Sequence, residues 1–408
     1  MLIDLSPLKK NRDYRLLFLG QFVSLFGSMI TYVAVPYQVY ELTKSSALVG
    51  LLGVAQLVPI LFFGIIGGSV ADTMNRRKLL IYSEIIMSLC ALGLALNAHL
   101  KSPSVVCIFL LCALMQAANG FHRPAMDALT QKFVDEKDYA SIGALGGFRY
   151  SVGSILGPSL GGVLIAAFGA PTSYWIDFLT FIASLFFIAS MSKIPNPTTT
   201  SQKHLQGIRQ GIQYALSRPV LLGTYIVDIV AMTFAFPVAL FPEMSTQWGG
   251  AKAAGILFSA MSIGSLVMTV FSGWTSQIKR HGAAVVIAAG IWGVAIIALA
   301  YAPNLWVAVS CLVVAGAADM VSGLFRGIIW NESIPNEMRG RLSGIEMISY
   351  MSGPLLGNAR SGWMAARYSI HHSILWGGVA CVAGVMACGV LLPKFWKYTS
   401  RSEADKKT

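Results

Sequence analysis

Long apolar runs of the 408-residue sequence contain ionisable residues, and those of most interest are Asp228, Asp319, Arg149 and Glu346. An ionisable side chain near the middle of a lipid bilayer costs about 2.5–3.5 kcal/mol on insertion scales, so such residues are functional candidates. An acid deprived of water favours its neutral form and can exchange a proton near physiological pH. We therefore predict proton binding by Asp228 first and by Asp319 second. The alternative for Asp228 is an ion pair between helices, for which Arg149 could supply the positive charge unless it contacts an anion.

The composition indicates that apolar helices position these residues. Hydrophobic residues make up 55% of the chain and charged residues 12%, whereas soluble domains usually carry about 25% charged residues. The mean hydropathy is +0.65. These values exclude a large soluble protein. The six cysteines all lie in apolar runs without CxxC spacing, which argues against disulfides and against a metal site.

Twelve apolar runs are long enough to cross a hydrocarbon layer of roughly 30 Å as helices. The first residues of the chain are polar and show no cleavable signal peptide, so the first run is expected to remain in the mature protein. The sequence therefore predicts an all-α membrane protein with twelve transmembrane helices. The runs cover about residues 14–41, 46–70, 78–98, 104–126, 140–168, 172–191, 219–241, 251–275, 282–301, 305–326, 341–365 and 371–393.

Short repeats suggest that the runs form two related halves of six. The stretch "GPSLG" in run five recurs as "GPLLG" in run eleven, and Arg123 at the end of run four matches Arg326 at the end of run ten. Two six-helix halves are a transporter architecture, in which the halves rock around a central cavity. The predicted domains are an N-terminal half at 1–192, a linker at 193–218, a C-terminal half at 219–393 and a cytoplasmic tail at 394–408.

The predicted linker changes character along its length. Its first part is rich in Pro, Thr and Ser, and its second part places Leu205, Ile208, Ile212 and Leu216 on one helical face. This spacing predicts an amphipathic helix that lies along the membrane surface.

Basic residues predict the orientation of the chain. The loops on the side of the N-terminus carry many lysines and arginines, whereas the loops on the other side carry only Lys44, Lys101, Lys252 and Arg367. Since loops rich in Lys and Arg stay in the cytoplasm, both termini are predicted to be cytoplasmic. The net charge of +12 is spread over many short loops. It therefore indicates contact with membrane lipid and no binding of nucleic acid.

The loop between runs two and three reads "GGSVADTMNRRK", residues 67–78. It resembles the signature loop of the major facilitator superfamily, Gly-x-x-x-Asp-x-x-Gly-Arg-Arg/Lys, with Asn75 in place of the second glycine. The resemblance implies a charge network that latches the two halves in an outward-open state. The alternative is that the basic residues only anchor the topology. The residues that would form the latch are Gly68, Asp72, Arg76, Arg77 and, at the inner end of run four, Asp127.

The second motif is "GSILGPSLGG" in run five, residues 153–162. Glycines spaced by four residues share one helix face and allow close helix packing in lipid, where a proline bend is tolerated. The stretch resembles the antiporter motif of superfamily exporters, which packs against the eighth helix and seals the cavity. Run eight offers Gly255, Ser259 and either Ser262 or Ser265 as small partners, while ordinary small-residue packing is the alternative. The fixed positions of the motif are Gly153, Gly157, Pro158, Gly161 and Gly162.

Four further stretches resemble the drug/proton antiporter branch that contains the enterobactin exporter and macrolide-efflux proteins: "ANGFHRPAMDALTQKFV", "FRYSVGSILGP", "SYWIDFLTFIASL" and "YIVDIVAMTFAFPVALFP". In this superfamily spans one, four, seven and ten usually line the cavity. Their side chains suit an amphipathic or aromatic ligand. We expect His122 to be solvated, with a second titrating group as the alternative, and we expect Glu84 and Asp177 to be interfacial. The predicted cavity residues are Gln21, Ser28, Tyr32, Gln116, Asn119, Phe234 and Phe236.

These observations predict a proton-coupled exporter of a small amphipathic compound, a siderophore-like product or a drug, in the bacterial inner membrane. We find no nucleotide-binding loop and no catalytic motif such as His-Glu-x-x-His, so we expect no ATP, no cofactor and no enzymatic activity. The expected partners are membrane lipid, protons and a small-molecule substrate, and a monomer is compatible with the sequence. The alternatives are a nutrient importer of the same fold and a membrane sensor that has lost transport.

Overall fold

Twelve long helices make up most of residues 4–135, 138–194 and 213–399, which are the residues that the computed structural model describes. In chain order they are α1 (Arg12–Thr43), α2 (Ser46–Thr73), α3 (Arg76–Ala98), α4 (Val105–Phe133), α5 (Tyr139–Phe168), α6 (Ala170–Ala189), α7 (Pro219–Ala235), α8 (Ala251–Val270), α9 (His281–Ala300), α10 (Leu305–Ser333), α11 (Asn336–Arg367) and α12 (Ile370–Leu391).

Eleven helical segments within these ranges are long and apolar enough to cross a membrane. The remaining long helix, α11, has 32 residues and contains the predicted run at 341–365, but it is less apolar than the others. The fold prediction of an all-α membrane protein with twelve spanning helices is therefore confirmed.

The seventh helix ends earlier than the run predicted at 219–241. It stops at Ala235, and the chain continues into a 3-10 turn, Val238–Leu240. Pro237 has no N–H to donate, and it disfavours helical dihedral angles at the residue before it. Phe236 accordingly has the extended values φ −96° and ψ 106°. The proline thus divides the predicted span.

Polar side chains determine where several helices begin. The side-chain oxygen of Asn75 accepts a hydrogen bond from the backbone N–H of Arg77 at 3.1 Å, which caps α3. Ser104, Asn304 and Ser369 cap α4, α10 and α12 in the same way. Each cap satisfies a backbone donor that has no partner within its own helix and contributes about 1 kcal/mol.

The chain divides into two compact units, each made of three separate segments. Unit 1 comprises Met1–Lys44, Ala55–Gln202 and Gly249–Ser259. Unit 2 comprises Ser45–Val54, Lys203–Trp248 and Ala260–Thr408. Unit 1 therefore includes the beginning of α8, and unit 2 includes the beginning of α2.

The folded part of unit 2 extends past residue 393, where the tail was predicted to begin at 394. A short helix, Pro393–Trp396, follows α12. Phe395 in this helix is fully buried and lies against Gly223 and Gly282, where any larger side chain would collide with it. The rest of the predicted tail from residue 400, and the predicted linker helix up to Ile212, lie outside the described residues.

Candidate functional site

Two acids and one arginine lie together in unit 2, and we call them the acid–arginine cluster: Asp228, Asp319 and Arg326. Asp228 is on α7, and the other two residues are on α10. Nη1 of Arg326 lies 2.5 Å from Oδ1 of Asp228, and its Nη2 lies 3.5 Å from Oδ1 of Asp319. The guanidinium group therefore bridges the two acids.

Helix geometry explains how this cluster forms. Asp319 and Arg326 are seven residues apart, about two helical turns, so they share one face of α10. A helical side chain leans toward the N-terminus of its helix, which directs Arg326 back toward Asp319. Asp228 lies on the neighbouring helix α7. Nε1 of Trp330 donates to Oγ1 of Thr224 at 3.1 Å, and this bond joins α10 to α7 one turn from Asp228.

The charges of the cluster do not balance when both acids are ionised. Two carboxylates then face one guanidinium group, whose buried Nε has no hydrogen-bond partner in the described part of the chain. An uncompensated charge is costly in apolar surroundings, so one proton on either acid would neutralise the cluster. The Asp319 side chain is 39% exposed and that of Asp228 is 6% exposed. The arrangement can thus bind and release one proton, with Asp319 as the more accessible acid.

The ion-pair partner of Asp228 is Arg326 and not Arg149, the partner considered from the sequence. Arg149 is in unit 1 on α5, where its Nη2 lies 3.9 Å from Sδ of Met126 and its charge interacts with Asp127. From the sequence, Arg326 was noted only as a repeat of Arg123. Its seven-residue spacing from an intramembrane acid was the signal available to find it. The side chain of Glu346 lies outside the described residues.

Unit 1 encloses a further acid, Glu84 on α3, which is fully buried. Its Oε1 accepts a hydrogen bond from Nε2 of Gln21 on α1 at 2.6 Å and lies 3.2 Å from Nε2 of His122 on α4. The predictions of an interfacial Glu84 and a solvated His122 are therefore wrong, because both side chains point between helices of the same bundle. Gln21 is also buried, and its amide serves Glu84, so it does not line a ligand cavity as predicted.

Asp177 on α6 is fully buried as well, which contradicts its predicted interfacial position. Its Oδ1 accepts a hydrogen bond from Oγ of Ser28 at 3.3 Å. Ser28 is thus a second predicted cavity residue whose side chain faces an acid inside unit 1. Gln21 and Ser28 both miss the predicted cavity because these side chains of α1 point toward α3 and α6, respectively.

The other predicted cavity residues remain open to a ligand role. Tyr32 and Phe234 are exposed, and Phe236 is partly buried. Gln116 and Asn119 are partly buried and are joined by a hydrogen bond of 3.2 Å from Nδ2 to Oε1. The two phenylalanines belong to unit 2 and the other three residues to unit 1.

Three glycines of "GSILGPSLGG" pack against α1, which corrects the prediction that this face contacts α8. A Cβ atom at Gly153 would lie 3.2 Å from Cδ2 of Leu25, and one at Gly161 would lie 3.2 Å from the carbonyl oxygen of Ile30. Gly157, between them, faces Met29. The contact with α8 comes from another face of α5, where residues 158, 159 and 162 lie at about 100–200° around the helix from Gly157.

Gly162 and Gly255 bring the backbones of α5 and α8 into direct contact within unit 1. A Cβ atom at Gly162 would lie 2.5 Å from the carbonyl oxygen of Ala251, and one at Gly255 would lie 2.5 Å from that of Pro158. We call this contact the α5–α8 crossing. A distance below 3.0 Å leaves no room for a side chain, so both positions require glycine in this geometry.

Serines extend the α5–α8 crossing by one turn. Oγ of Ser159 lies 2.8 Å from Oγ of Ser259, which also donates to the carbonyl oxygen of Ile155. Of the small partners predicted on α8, Gly255 and Ser259 are at this contact. Ser265 instead donates to the carbonyl oxygen of Gly316 at 2.9 Å.

Unit 2 contains a comparable glycine contact between α2 and α11. A Cβ atom at Gly53 would lie 2.5 Å from the carbonyl oxygen of Leu355, and one at Gly362 would lie 2.9 Å from Cα of Gly50. Sequence reasoning noted "GPLLG" in α11 but missed this partner. The glycines at 50 and 53 were the available signal.

The arginines of the signature-like loop contact backbone carbonyl groups in unit 1. Arg77 donates from Nε to the carbonyl oxygen of Ile188 at 3.1 Å and from Nη2 to that of Ala189 at 2.6 Å. These carbonyl groups end α6, where the helix dipole favours a positive charge. Arg76 makes a longer bond of 3.4 Å to the carbonyl oxygen of Ala71. These contacts favour the anchoring role of Arg77.

The remaining latch residues give a mixed result. A Cβ atom at Gly68 would meet nothing within 4 Å, whereas Gly67 packs against the backbone of Gly120. Gly67 is thus the glycine that brings α2 close to α4, and the predicted latch residue Gly68 makes no such contact. Asp127 interacts with the charges of neighbouring arginines. The side chain of Asp72 lies outside the described residues, so the latch stays a prediction.

The two roles of Arg77 can be separated by mutation. We expect Arg77→Gln to destabilise the protein by about 1–2 kcal/mol, because two charge-assisted hydrogen bonds at a helix end are lost. Thermal unfolding in detergent measures this loss. If Arg77→Gln kept its full stability but lost activity, a latch would explain the residue better than an anchor.

Comparison with known proteins identifies a family. The family model described as "Transmembrane secretion effector" matches residues 3–406. The chain is 27% identical over 368 residues to the enterobactin exporter EntS of Citrobacter koseri, covering 90% of this chain and 88% of that protein. The crystal structure of a POT family transporter in complex with 5-aminolevulinic acid matches with a TM-score of 0.75, 10% identity and coverage of 94% and 97%. A bacterial homologue of the human lysosomal transporter Spinster, in an inward-facing and unoccupied conformation, matches with a TM-score of 0.71, 15% identity and coverage of 94% and 95%.

Proposed function

Because the chain belongs to the transmembrane secretion effectors of the major facilitator superfamily, we propose that it exports a small amphipathic compound in exchange for protons. The membrane is the bacterial inner membrane, and both termini face the cytoplasm. The compound is a siderophore-like product or a drug. Transport proceeds by alternating access, in which two conformations expose the substrate site to opposite sides in turn.

The acid–arginine cluster is the observation that carries this proposal. It changes between a net charge of −1 and neutrality when one proton binds, and it lies between two helices, α7 and α10. Any difference in proton affinity between two conformations makes proton binding shift their populations. The proton gradient supplies the energy, since one charge crossing 100 mV is worth about 2.3 kcal/mol.

The geometry suggests different roles for the two acids of the cluster. Asp228 holds Arg326 at 2.5 Å and is buried, so it stays ionised as the counter-charge. Asp319 is 3.5 Å from the same arginine and more exposed, so it receives the proton. This assignment changes the order that the sequence suggested, in which Asp228 was the first choice.

The α5–α8 crossing supports alternating access. Glycine at both positions gives a smooth contact between a helix of one six-helix half and a helix of the other, and small residues allow such close packing in lipid. The contact lies near the end of α5 at Phe168, which the distribution of basic residues puts on the outer side. There it closes the path of the substrate when the protein opens to the cytoplasm.

The similarity to enterobactin exporters supports export and a siderophore-like compound. An identity of 27% covers most of both chains, which is enough to suggest the transport class but not a particular compound. The aromatic side chains of Tyr32 and Phe234 suit a ligand with apolar rings.

Flux measurements in proteoliposomes test the proposal. Inside-out vesicles with an acidic lumen should accumulate enterobactin or a macrolide, and the lumen should lose protons as they do so. A pH-sensitive dye in the lumen measures the protons. Accumulation driven by the opposite gradient would favour a nutrient importer. No proton-linked movement of any compound in a broad panel would favour a sensor.

A further inference from the structure

The buried group of Glu84, His122 and Gln21 in unit 1 has no role in the acid–arginine cluster. We propose that Glu84 and His122 form a second proton-binding site inside the six-helix half that contains α1. Its use in transport rests on the proposed function. The binding of the proton itself does not.

The hydrogen bonds of Glu84 are too few for a stable buried anion. Oε1 has Gln21 and His122 as neighbours, but Oε2 is buried and has no hydrogen-bond partner among the described residues. An ionised carboxylate can accept about four hydrogen bonds, and burying it with fewer is costly. One proton, on either the carboxyl group or the imidazole ring, makes the pair neutral. The geometry therefore provides a place for one exchangeable proton.

A neighbouring acid also favours a proton on the pair. Asp177 on α6 is fully buried and repels a negative charge on Glu84. On α4, Asp127 attracts a positive charge on His122, while Arg123 of α4 and Arg149 of α5 are neighbours of Asp127 and oppose this attraction. From α1 the facing group is Gln21, which is neutral. The repulsion by Asp177 thus favours a proton on Glu84, while the two arginines oppose the attraction by Asp127.

The position of the pair gives the proton a mechanical effect. Glu84 is the ninth residue of α3, about 12 Å along the helix axis from its start at 1.5 Å per residue. Its bond to Gln21 joins α3 to α1, and α1 also carries Met29, which packs against Gly157 of α5. An amide donates a stronger hydrogen bond to an ionised carboxylate than to a neutral acid. Proton exchange at Glu84 therefore changes how firmly α1 is held.

Infrared difference spectroscopy on the purified protein tests the site without a substrate. Spectra recorded between acidic and alkaline buffer should contain a carboxylic-acid band that disappears in Glu84→Gln. In His122→Gln the same band should remain but appear at a different pH. Glutamine keeps the size of Glu84 and can keep the bond to Gln21, so the variant should fold. Asp228→Asn is the matched control, and it should leave the band unchanged.

The outcomes separate this site from the proposed function. If the difference spectrum of Glu84→Gln equals that of the unmodified protein, Glu84 does not exchange a proton and the inference is overturned. If the band disappears in Glu84→Gln while vesicles show no proton-linked flux, the site stands and the proposed function fails. In active vesicles, we expect Glu84→Gln to weaken the pH dependence of efflux, and Asp228→Asn to abolish it.

Discussion

Asp228→Asn and Asp319→Asn should each abolish proton-coupled efflux while leaving the protein folded. Either change leaves one carboxylate opposite Arg326, so the cluster is neutral without a proton and has no reason to bind one. This result follows from the charge count and does not depend on which acid receives the proton. Efflux in proteoliposomes, with and without a pH gradient, measures it. Glu41→Gln, at an exposed acid in α1, is the control and should transport normally.

Removing Arg326 should reduce the stability of the protein, unlike the two Asn substitutions. Arg326→Gln leaves two acids without a counter-charge, and removing one partner of a buried ion pair costs about 3–5 kcal/mol. We expect a lower unfolding temperature in detergent for this variant. Adding Asp228→Asn to it should restore part of the stability, because only one acid then remains to be neutralised by a proton.

Two results would contradict this interpretation of the cluster. Undiminished coupled efflux in both single Asn variants would show that proton coupling lies elsewhere. An Arg326→Gln variant as stable as the unmodified protein would show that the arginine is not the counter-charge of Asp228 and Asp319.

Gly162→Leu should disrupt the α5–α8 crossing and stop transport. Even the Cβ atom would lie 2.5 Å from the carbonyl oxygen of Ala251, so the helices must separate before a side chain fits. Overpacking of this kind costs about 1–3 kcal/mol, and here the obstacle is backbone, which cannot rotate away. Thermal unfolding in detergent and efflux in vesicles measure the two consequences.

Gly147→Ala is the matched control for the crossing, because it lies in the same helix. A Cβ atom at Gly147 would meet nothing within 4 Å. Replacing an unconstrained helical glycine by alanine stabilises a helix by up to about 1 kcal/mol. This variant should therefore be active and at least as stable as the unmodified protein. Normal stability and normal efflux in Gly162→Leu would show that the helices do not need this close approach.

The sequence determined the class of this protein through its composition. A chain with 12% charged residues and twelve long apolar runs has to place its helices in lipid, since only helices and closed barrels satisfy their backbone there. The sequence also identified the residues that carry unusual physical demands, such as Asp228 inside a span and Gly162 in a dense glycine motif. These demands are local, so they can be recognised from single residues and their immediate neighbours.

Tertiary structure decided which residues meet. In water, a helix shows its buried side by an apolar stripe, but in lipid the outward face is apolar too, so the pattern does not reveal how the helix is turned. For this reason the sequence located Asp228 but not Arg326 as its partner, and it placed Gln21 at a cavity when it faces Glu84. The sequence likewise identified the glycine motif. Which face of α5 contacts α8, however, depends on how the helices pack. The partners of buried charges lie far away along the chain, and they become neighbours only when the helices assemble.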